Sequence, residues 1–177
     1  MGVSGSGKTM IGLALAQRTG SAFCDADGLH TTSNVAKMST GHPLSDEDRL
    51  PWLGLVGRRI NGLESNHQRV VVACSALKRN YRSILRAYSP NAFLVCLDSS
   101  LAVVQARVDA RKHEFMSSSL LASQYAIFEP LEDDERGMRI GVDLGPRDIV
   151  GKILAEVRWP DNESHLDGEF IDEDNKG

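Results

Sequence analysis

Short apolar runs alternate along the chain with longer stretches whose apolar residues recur at helical spacing. Ser21–Asp25, Arg69–Cys74, Phe93–Asp98 and Arg139–Leu144 are brief and mostly apolar, as strands of a parallel sheet buried on both faces are. After Lys8, the residues Ile11, Ala14 and Leu15 form one apolar face, and Gly20 is placed to end that helix. Ser45 followed by Asp48 predicts a capping box opening a helix that carries Trp52, Leu53 and Val56, with Pro51 a candidate kink. Leu101, Val104 and Val108 continue the pattern behind a Ser100 cap. In the last helix Ile149, Val150, Ile153, Leu154 and Val157 line one face, with Pro146 near its start. Strands alternating with helices in this way predict an α/β domain with a parallel sheet.

The length, 177 residues, suits a single domain. Hydrophobic residues at 41% and charged residues at 25% are the balance of a globular chain with a real core. No apolar run approaches the roughly 18 residues of a membrane span, and no signal-peptide pattern opens the chain, so a membrane protein is not expected. Charge is uneven: seven acids and one base from Trp159 onward carry −6, leaving +2 on the rest of a chain whose net charge is −4. Residues 1–158 are therefore read as the folded domain and 159–177 as an acidic, disordered tail. A mildly basic body suits a small anionic ligand and is too weak a signal for nucleic acid. Cys24, Cys74 and Cys96 are odd in number, lack CxxC spacing and sit in strand-like runs. Buried, reduced thiols in a cytoplasmic protein are the expected outcome.

The sharpest chemical signal is Gly2-Val3-Ser4-Gly5-Ser6-Gly7-Lys8-Thr9, a full match to G-x-x-x-x-G-K-S/T. Its glycines let successive backbone N–H groups point at phosphate oxygens, and the following helix adds its positive N-terminal end. Lys8 supplies a charge to the β- and γ-phosphates of ATP, and the Thr9 hydroxyl is a ligand for Mg²⁺. The bland alternative is a Gly/Ser-rich turn before a helix. Such a loop should follow a strand, whereas Met1 adjoins Gly2 directly. Losing about five buried apolar side chains would remove around 10 kcal/mol, comparable to the stability of a domain. Met1 is accordingly expected to correspond to an internal residue of a longer product.

Beyond the loop, the blocks DADGLH, NVAKMSTGHPLSDEDRLPWL, VVVACSALKRNYR and FMSSSLLASQYAIFEPLE follow in order, and VDLGPRDIVGKIL closes the domain. Together they resemble the gluconokinases, small phosphate-loop kinases that phosphorylate gluconate. The resemblance implies a three-layer phosphate-loop kinase fold, with a five-stranded parallel sheet and a mobile lid. It further implies an ATP- and Mg²⁺-dependent phosphotransferase with an alcohol acceptor, D-gluconate. Neither nucleic acid nor membrane enters as a partner, and a homodimer is compatible with it.

Asp25 and Asp27 end a strand and belong at the carboxyl edge of the sheet, where ligands of such sheets bind. Spaced two apart on an extended segment, they are expected on one side. Asp27 is the candidate to orient the proton of the attacking hydroxyl, and Asp25 to hold a Mg²⁺-bound water; alternatively one of them only caps the next turn. Arg49 resembles the position that holds the substrate carboxylate, a task suited to a guanidinium, with a surface ion pair to Asp46 or Glu47 as the alternative. His30 resembles a substrate-pocket histidine, and Trp52 is read as core. Ser75, Lys78 and Arg82 follow a strand, and Lys78 and Arg82 are candidates for gluconate or phosphate oxygens against a solvated basic face.

Arg107 and Arg111 are read as lid arginines that stabilise transferred charge. Here the chain departs from the family pattern. The lid run Gly-His-Phe-Met-Pro reads His113-Glu114-Phe115-Met116-Ser117, and a proline common after the His30 position is Thr31. Two alternatives stand beside the gluconokinase reading: a kinase for another hydroxylated substrate such as shikimate, and a non-catalytic nucleotide-binding product of the same fold.

Overall fold

A computed structural model describes residues 1–110 and 118–157. In chain order its elements are α1 (Lys8–Thr19), β1 (Ala22–Asp25), a 3-10 turn (Ala26–Leu29), α2 (Thr32–Ser39) and α3 (Asp46–Ser65). They continue with β2 (Val70–Ala73), α4 (Arg79–Tyr88), β3 (Leu94–Asp98), α5 (Leu101–Ala110), α6 (Ser118–Ala126), β4 (Gly137–Gly141) and α7 (Pro146–Glu156). The acidic tail 159–177, and with it the second half of the expected domain division, lies outside the described residues.

Helix ends follow local chemistry. Gly20 closes α1 in the left-handed region at φ 61°, and its N–H donates to the Ala16 carbonyl. At α3 both capping-box bonds are present between Ser45 and Asp48, and the helix continues through Pro51 to Ser65. Thr31 caps α2 by accepting the Asn34 N–H at 3.2 Å, a bond a proline there could not make. Of the apolar face predicted for α5, Val104 and Val108 are buried whereas Leu101 is exposed.

Both strand pairs are parallel. Ala22 faces Val70 through to Asp25 facing Ala73, and Leu94 faces Gly137 through to Asp98 facing Gly141. The strand expected at Arg139–Leu144 therefore begins two residues earlier and ends at Gly141. A Cβ on Gly137 would lie 2.3 Å from the Leu94 carbonyl oxygen, so the glycine is what permits pairing there. Val142 still donates to Asp98 at 3.0 Å, but Leu144 serves the α7 core instead of the strand.

Four strands in two pairs, β1–β2 and β3–β4, replace the single five-stranded sheet implied by the resemblance, among the described residues. Met1 and Gly2 tie the pairs together. The Met1 amino group donates to the Val95 carbonyl, the Leu97 N–H donates to the Met1 carbonyl at 2.9 Å, and the Gly2 N–H donates to Ser75 at 3.1 Å. Strand alternation sorts the layers: Val71 packs with α1 and α7, while Val70 and Val72 pack with α3 and α4. A third cluster of Val3, Leu77, Val104, Val108 and Leu121 seats the loop at residues 2–7. No described helix is long and apolar enough to cross a membrane.

One site expectation is overturned by the packing. Arg82 is 0% exposed, and its guanidinium donates to both carboxylate oxygens of Glu135 at 2.7 and 2.6 Å. Carbonyls of Leu77, Glu129 and Pro130 take its remaining N–H groups. With every donor committed inside the protein, Arg82 is a structural residue rather than a substrate ligand. It binds α4 to the segment after α6. Breaking such a pair from one side leaves a buried charge, so Glu135→Ala should cost about 3–5 kcal/mol in urea unfolding, and Arg82→Met with Glu135→Leu much less. Arg82 holds the Glu135 carboxyl below its ordinary range. The pair's stabilisation is thus present above the ordinary carboxylate pKa and lost as pH falls, a loss the double variant should not show.

Candidate active site

The loop at residues 2–7 wraps around the start of α1. Gly7 caps the helix at φ 99°, and Gly5 sits at φ 78° with the space of its missing Cβ only 2.9 Å from Val104. Both conformations disfavour any other residue, and the loop they shape ends at the N-terminus of α1. The Ser6 hydroxyl is buried without a hydrogen-bond partner among the described residues. Lys8 folds back so that its ammonium donates to the Val3 carbonyl at 2.9 Å. Desolvation lowers the Lys8 pKa, while Asp27 and Asp25 pull it up and favour the charged form. This is a cradle for phosphate oxygens.

Asp25 ends β1 and is joined to the cradle: the Thr9 hydroxyl donates to its Oδ2 at 2.8 Å. Its other oxygen accepts the Asp27 N–H at 3.1 Å and so caps the 3-10 turn. The expectation of two carboxylates on one extended segment gives way to a division. Asp25 both caps the turn and meets Thr9, and the turn carries Asp27 outward as an exposed residue. Thr9 and Asp25 together are a hard-oxygen set of the kind that holds Mg²⁺ when phosphates supply other ligands.

Across from the cradle, His30 stacks on Trp52 with ring centroids 4.2 Å apart. The Trp52 indole N–H donates to the Ala26 carbonyl at 2.8 Å, anchoring the turn that bears Asp27. Trp52 is core, as expected, yet it also sets the plane of the histidine. Asn34 supports the opposite side, 3.5 Å from His30 Nδ1 and bonded to the Asp48 carbonyl at 3.0 Å. Burial and the nearby Arg49 charge lower the His30 pKa, with Asp27 opposing.

Arg49 donates to the Leu44 carbonyl and lies over the Tyr81 ring at 5.8 Å. The ion pair considered for it falls instead to Lys78, whose ammonium meets both oxygens of Asp46 at 2.8 Å. Tyr81 donates to the same carboxylate. Lys78 and Arg82 do not share a face: Lys78 is the N-cap of α4 and turns toward α3.

Arg107 donates to the Val142 carbonyl at 2.8 Å and borders a cleft of about 350 Å³ shared with Gly5, Ser6 and Gly7. Met10, Leu144, Pro146 and Ile149 give that cleft an apolar lining. Arg111 and the lid run 113–117 lie outside the described residues. Cys74, behind the cradle, has its thiol pushed up to about 12 by burial, so it is neutral and not a nucleophile.

Residue reading alone passed over Tyr81 and Gln124 and named Asp46 only as an ion-pair partner for Arg49. Gln124 accepts the Ser4 N–H at 2.7 Å, tying α6 to the phosphate cradle. Asp46 and Tyr81 stood beside singled-out residues, but only the fold shows that they face each other.

A glycine-rich loop at a helix N-terminus, a hydroxyl–carboxylate pair beside it and a cationic, aromatic cluster around Trp52 and Tyr81 are features of a phosphate-loop kinase. The family described as "Shikimate kinase" matches residues 4–132. The thermosensitive gluconokinase of Escherichia coli (strain K12) is 43% identical over 143 residues, covering 80% of this chain and 76% of that protein. Gluconokinase of Gluconobacter oxydans is 39% identical over 161 residues, covering 91% and 90%. The crystal structure of a gluconokinase from Sinorhizobium meliloti superimposes with a TM-score of 0.80 at 41% identity, covering 88% of this chain and 87% of that one. The chain belongs to the gluconokinase family.

The charges around His30 make a direct test. Removing the Arg49 charge should raise the His30 pKa, and Asp27→Asn should lower it further. NMR titration of the His30 ring in Arg49→Ala and Asp27→Asn reads both shifts, which must be opposite in sign.

Proposed function

We propose that the chain transfers the γ-phosphoryl group of ATP to the C6 hydroxyl of D-gluconate, giving 6-phosphogluconate and ADP. The observation that carries this reading is the meeting of Lys8, the Thr9–Asp25 pair and Asp27 at one edge, opposite His30, Arg49 and Lys78. The names of the relatives supply the acceptor.

In this reading the loop amides other than those of Gly2, Ser4 and Ser6, which donate to Ser75, Gln124 and Val3, bind the β- and γ-phosphates together with the Lys8 ammonium, which exchanges the Val3 carbonyl for phosphate oxygens. Thr9 directly, and Asp25 through water, hold Mg²⁺, which offsets phosphate charge when bound. Asp27 accepts or orients the proton of the attacking hydroxyl. Arg49 leaves the Leu44 carbonyl to pair bidentately with the gluconate carboxylate. His30, held flat by Trp52, and Lys78 bind hydroxyls along the sugar acid. The apolar cleft beside Arg107 takes the nucleobase, which gives Arg107 a nucleotide-binding role. Phosphoryl transfer needs positioning and charge stabilisation more than covalent help, and this constellation provides both. Three free, buried cysteines accord with a reducing, cytoplasmic setting.

ADP release measured with Mg-ATP and a panel of D-gluconate, shikimate and nucleoside monophosphates tests the assignment. Turnover should be confined to gluconate; preference for shikimate would follow the family description instead, and ATP binding without turnover would make the chain a binding protein. Lys8→Ala should reduce kcat by at least about 100-fold, and Asp27→Asn by about 10²–10⁴. Arg49→Lys keeps the charge but loses the fork. It should raise KM for gluconate roughly tenfold or more with a smaller change in KM for ATP.

A further inference from the structure

Among the described residues, three amides of the loop at residues 2–7 are committed to the protein itself. Gly2 donates to the Ser75 carbonyl at 3.1 Å, Ser6 to the Val3 carbonyl at 3.3 Å, and Ser4 to Gln124 Oε1 at 2.7 Å. Two of these acceptors are backbone carbonyls, and the third is a side chain 120 residues further along the chain. A backbone N–H can only donate, so the Gln124 carboxamide must turn its oxygen to Ser4.

Helix α6 is seated against the loop by contacts that do not involve Gln124. Buried Leu121 packs with Val3, Leu77, Val104 and Val108, and the Tyr125 hydroxyl donates to the Ser99 carbonyl at 2.9 Å, just past the end of β3. Leu121 and Gln124 are three residues apart and so share a face of the helix. That face meets residue 3 with an apolar side chain and residue 4 with an acceptor. The Val3 carbonyl and the Ser4 N–H are the two ends of a single peptide unit. The described chain holds no cis peptide bond, so these groups point in opposite directions from one rigid plane. Gln124 holds one end. At the other, the Val3 carbonyl accepts both the Lys8 ammonium at 2.9 Å and the Ser6 N–H at 3.3 Å.

We propose that Gln124 is a positioning residue for nucleotide binding: by holding the Ser4 N–H it aims the Val3 carbonyl, and that carbonyl sets where Lys8 and Ser6 stand before phosphate arrives. Without an acceptor at residue 124 the peptide plane is free to rotate. Rotation takes the carbonyl from Lys8 and Ser6 together, in a place where burial already weighs against the Lys8 charge. Gly2 is tied to Ser75 and the Val3 side chain to its apolar cluster, but neither contact fixes the Val3–Ser4 plane. The inference rests on the phosphate-loop reading of residues 2–9 and is independent of which acceptor is phosphorylated.

Gln124→Met keeps the length of the side chain and removes the acceptor, whereas Gln124→Glu keeps an acceptor. Amide exchange followed by NMR in the nucleotide-free protein should quicken at least about tenfold at both Ser4 and Ser6 in Gln124→Met, with Tm changed by less than about 3 °C. Gln124→Glu should stay close to the parent chain at both amides. The Ser6 N–H is bonded to Val3 and not to Gln124, so its exchange reads the peptide plane, and a purely local role for Gln124 would move Ser4 alone. Affinity for Mg-ATP, measured by calorimetry, should fall about tenfold in Gln124→Met. Gln124→Ala, which also lacks the acceptor, gives the same readouts should the thioether disturb the packing. Quickened exchange at Ser4 with Ser6 unchanged, or unchanged exchange at both, would overturn the proposal, as would quickened exchange at both with Mg-ATP affinity retained. A parent chain that binds no Mg-ATP overturns the loop reading and this inference with it; the exchange measurements, made without nucleotide, tell that failure from a failure of Gln124 alone.

Discussion

Backbone hydrogen bonds at Met1 and Gly2 are the constraint on which the rest of the molecule depends. Among the described residues, they join the β1–β2 half to the β3–β4 half through the sheet layer. The phosphate cradle starts at the next residue, so its position is inherited from that junction. Parallel pairing delivers Asp25 and Ser75 to one end of the first pair, and Asp98 ends β3 in the second. The placement of these residues is thus a property of strand polarity before it is a property of any side chain.

Around this edge, cations fall into two kinds. Arg82 is fully enclosed, with a carboxylate and three carbonyls meeting its donors, and no ligand could compete for it. Lys8 and Arg49 each rest on a single backbone carbonyl, a weaker partner that a phosphate or carboxylate displaces readily. Lys78 lies between, since its exposed pair with Asp46 is solvent-screened and contributes little to stability. The partner each cation keeps therefore separates a fully committed residue from one open to exchange more sharply than charge does.

Helix and strand positions were legible wherever one local rule governed. Short apolar runs found the strands, the 3.6-residue period found the helices α1, α3, α5 and α7, and the Ser45–Asp48 spacing announced its capping box. The strand after α6 was misplaced because its start is set by the approach of Leu94 to Gly137, a contact between residues distant in sequence. Arg82 was misread for the same reason: four-residue spacing from Lys78 predicts a shared helical face, but Lys78 is a cap and its neighbour is Asp46. The phosphate loop could be read whole, since its function resides in consecutive backbone amides. The cluster of His30, Arg49, Lys78 and Tyr81 could not, because its contacts join α3, α4 and the turn after β1.

The first turn of α3 gathers most of that cluster's contacts. Asp46 reaches Lys78 and Tyr81, Asp48 reaches Lys37 and Ser45, and Arg49 reaches Leu44 and the Tyr81 ring. None of these contacts touches the phosphate cradle. Rewriting that single helical turn and the residues it faces would therefore leave the contacts of the loop at residues 2–7 as they are.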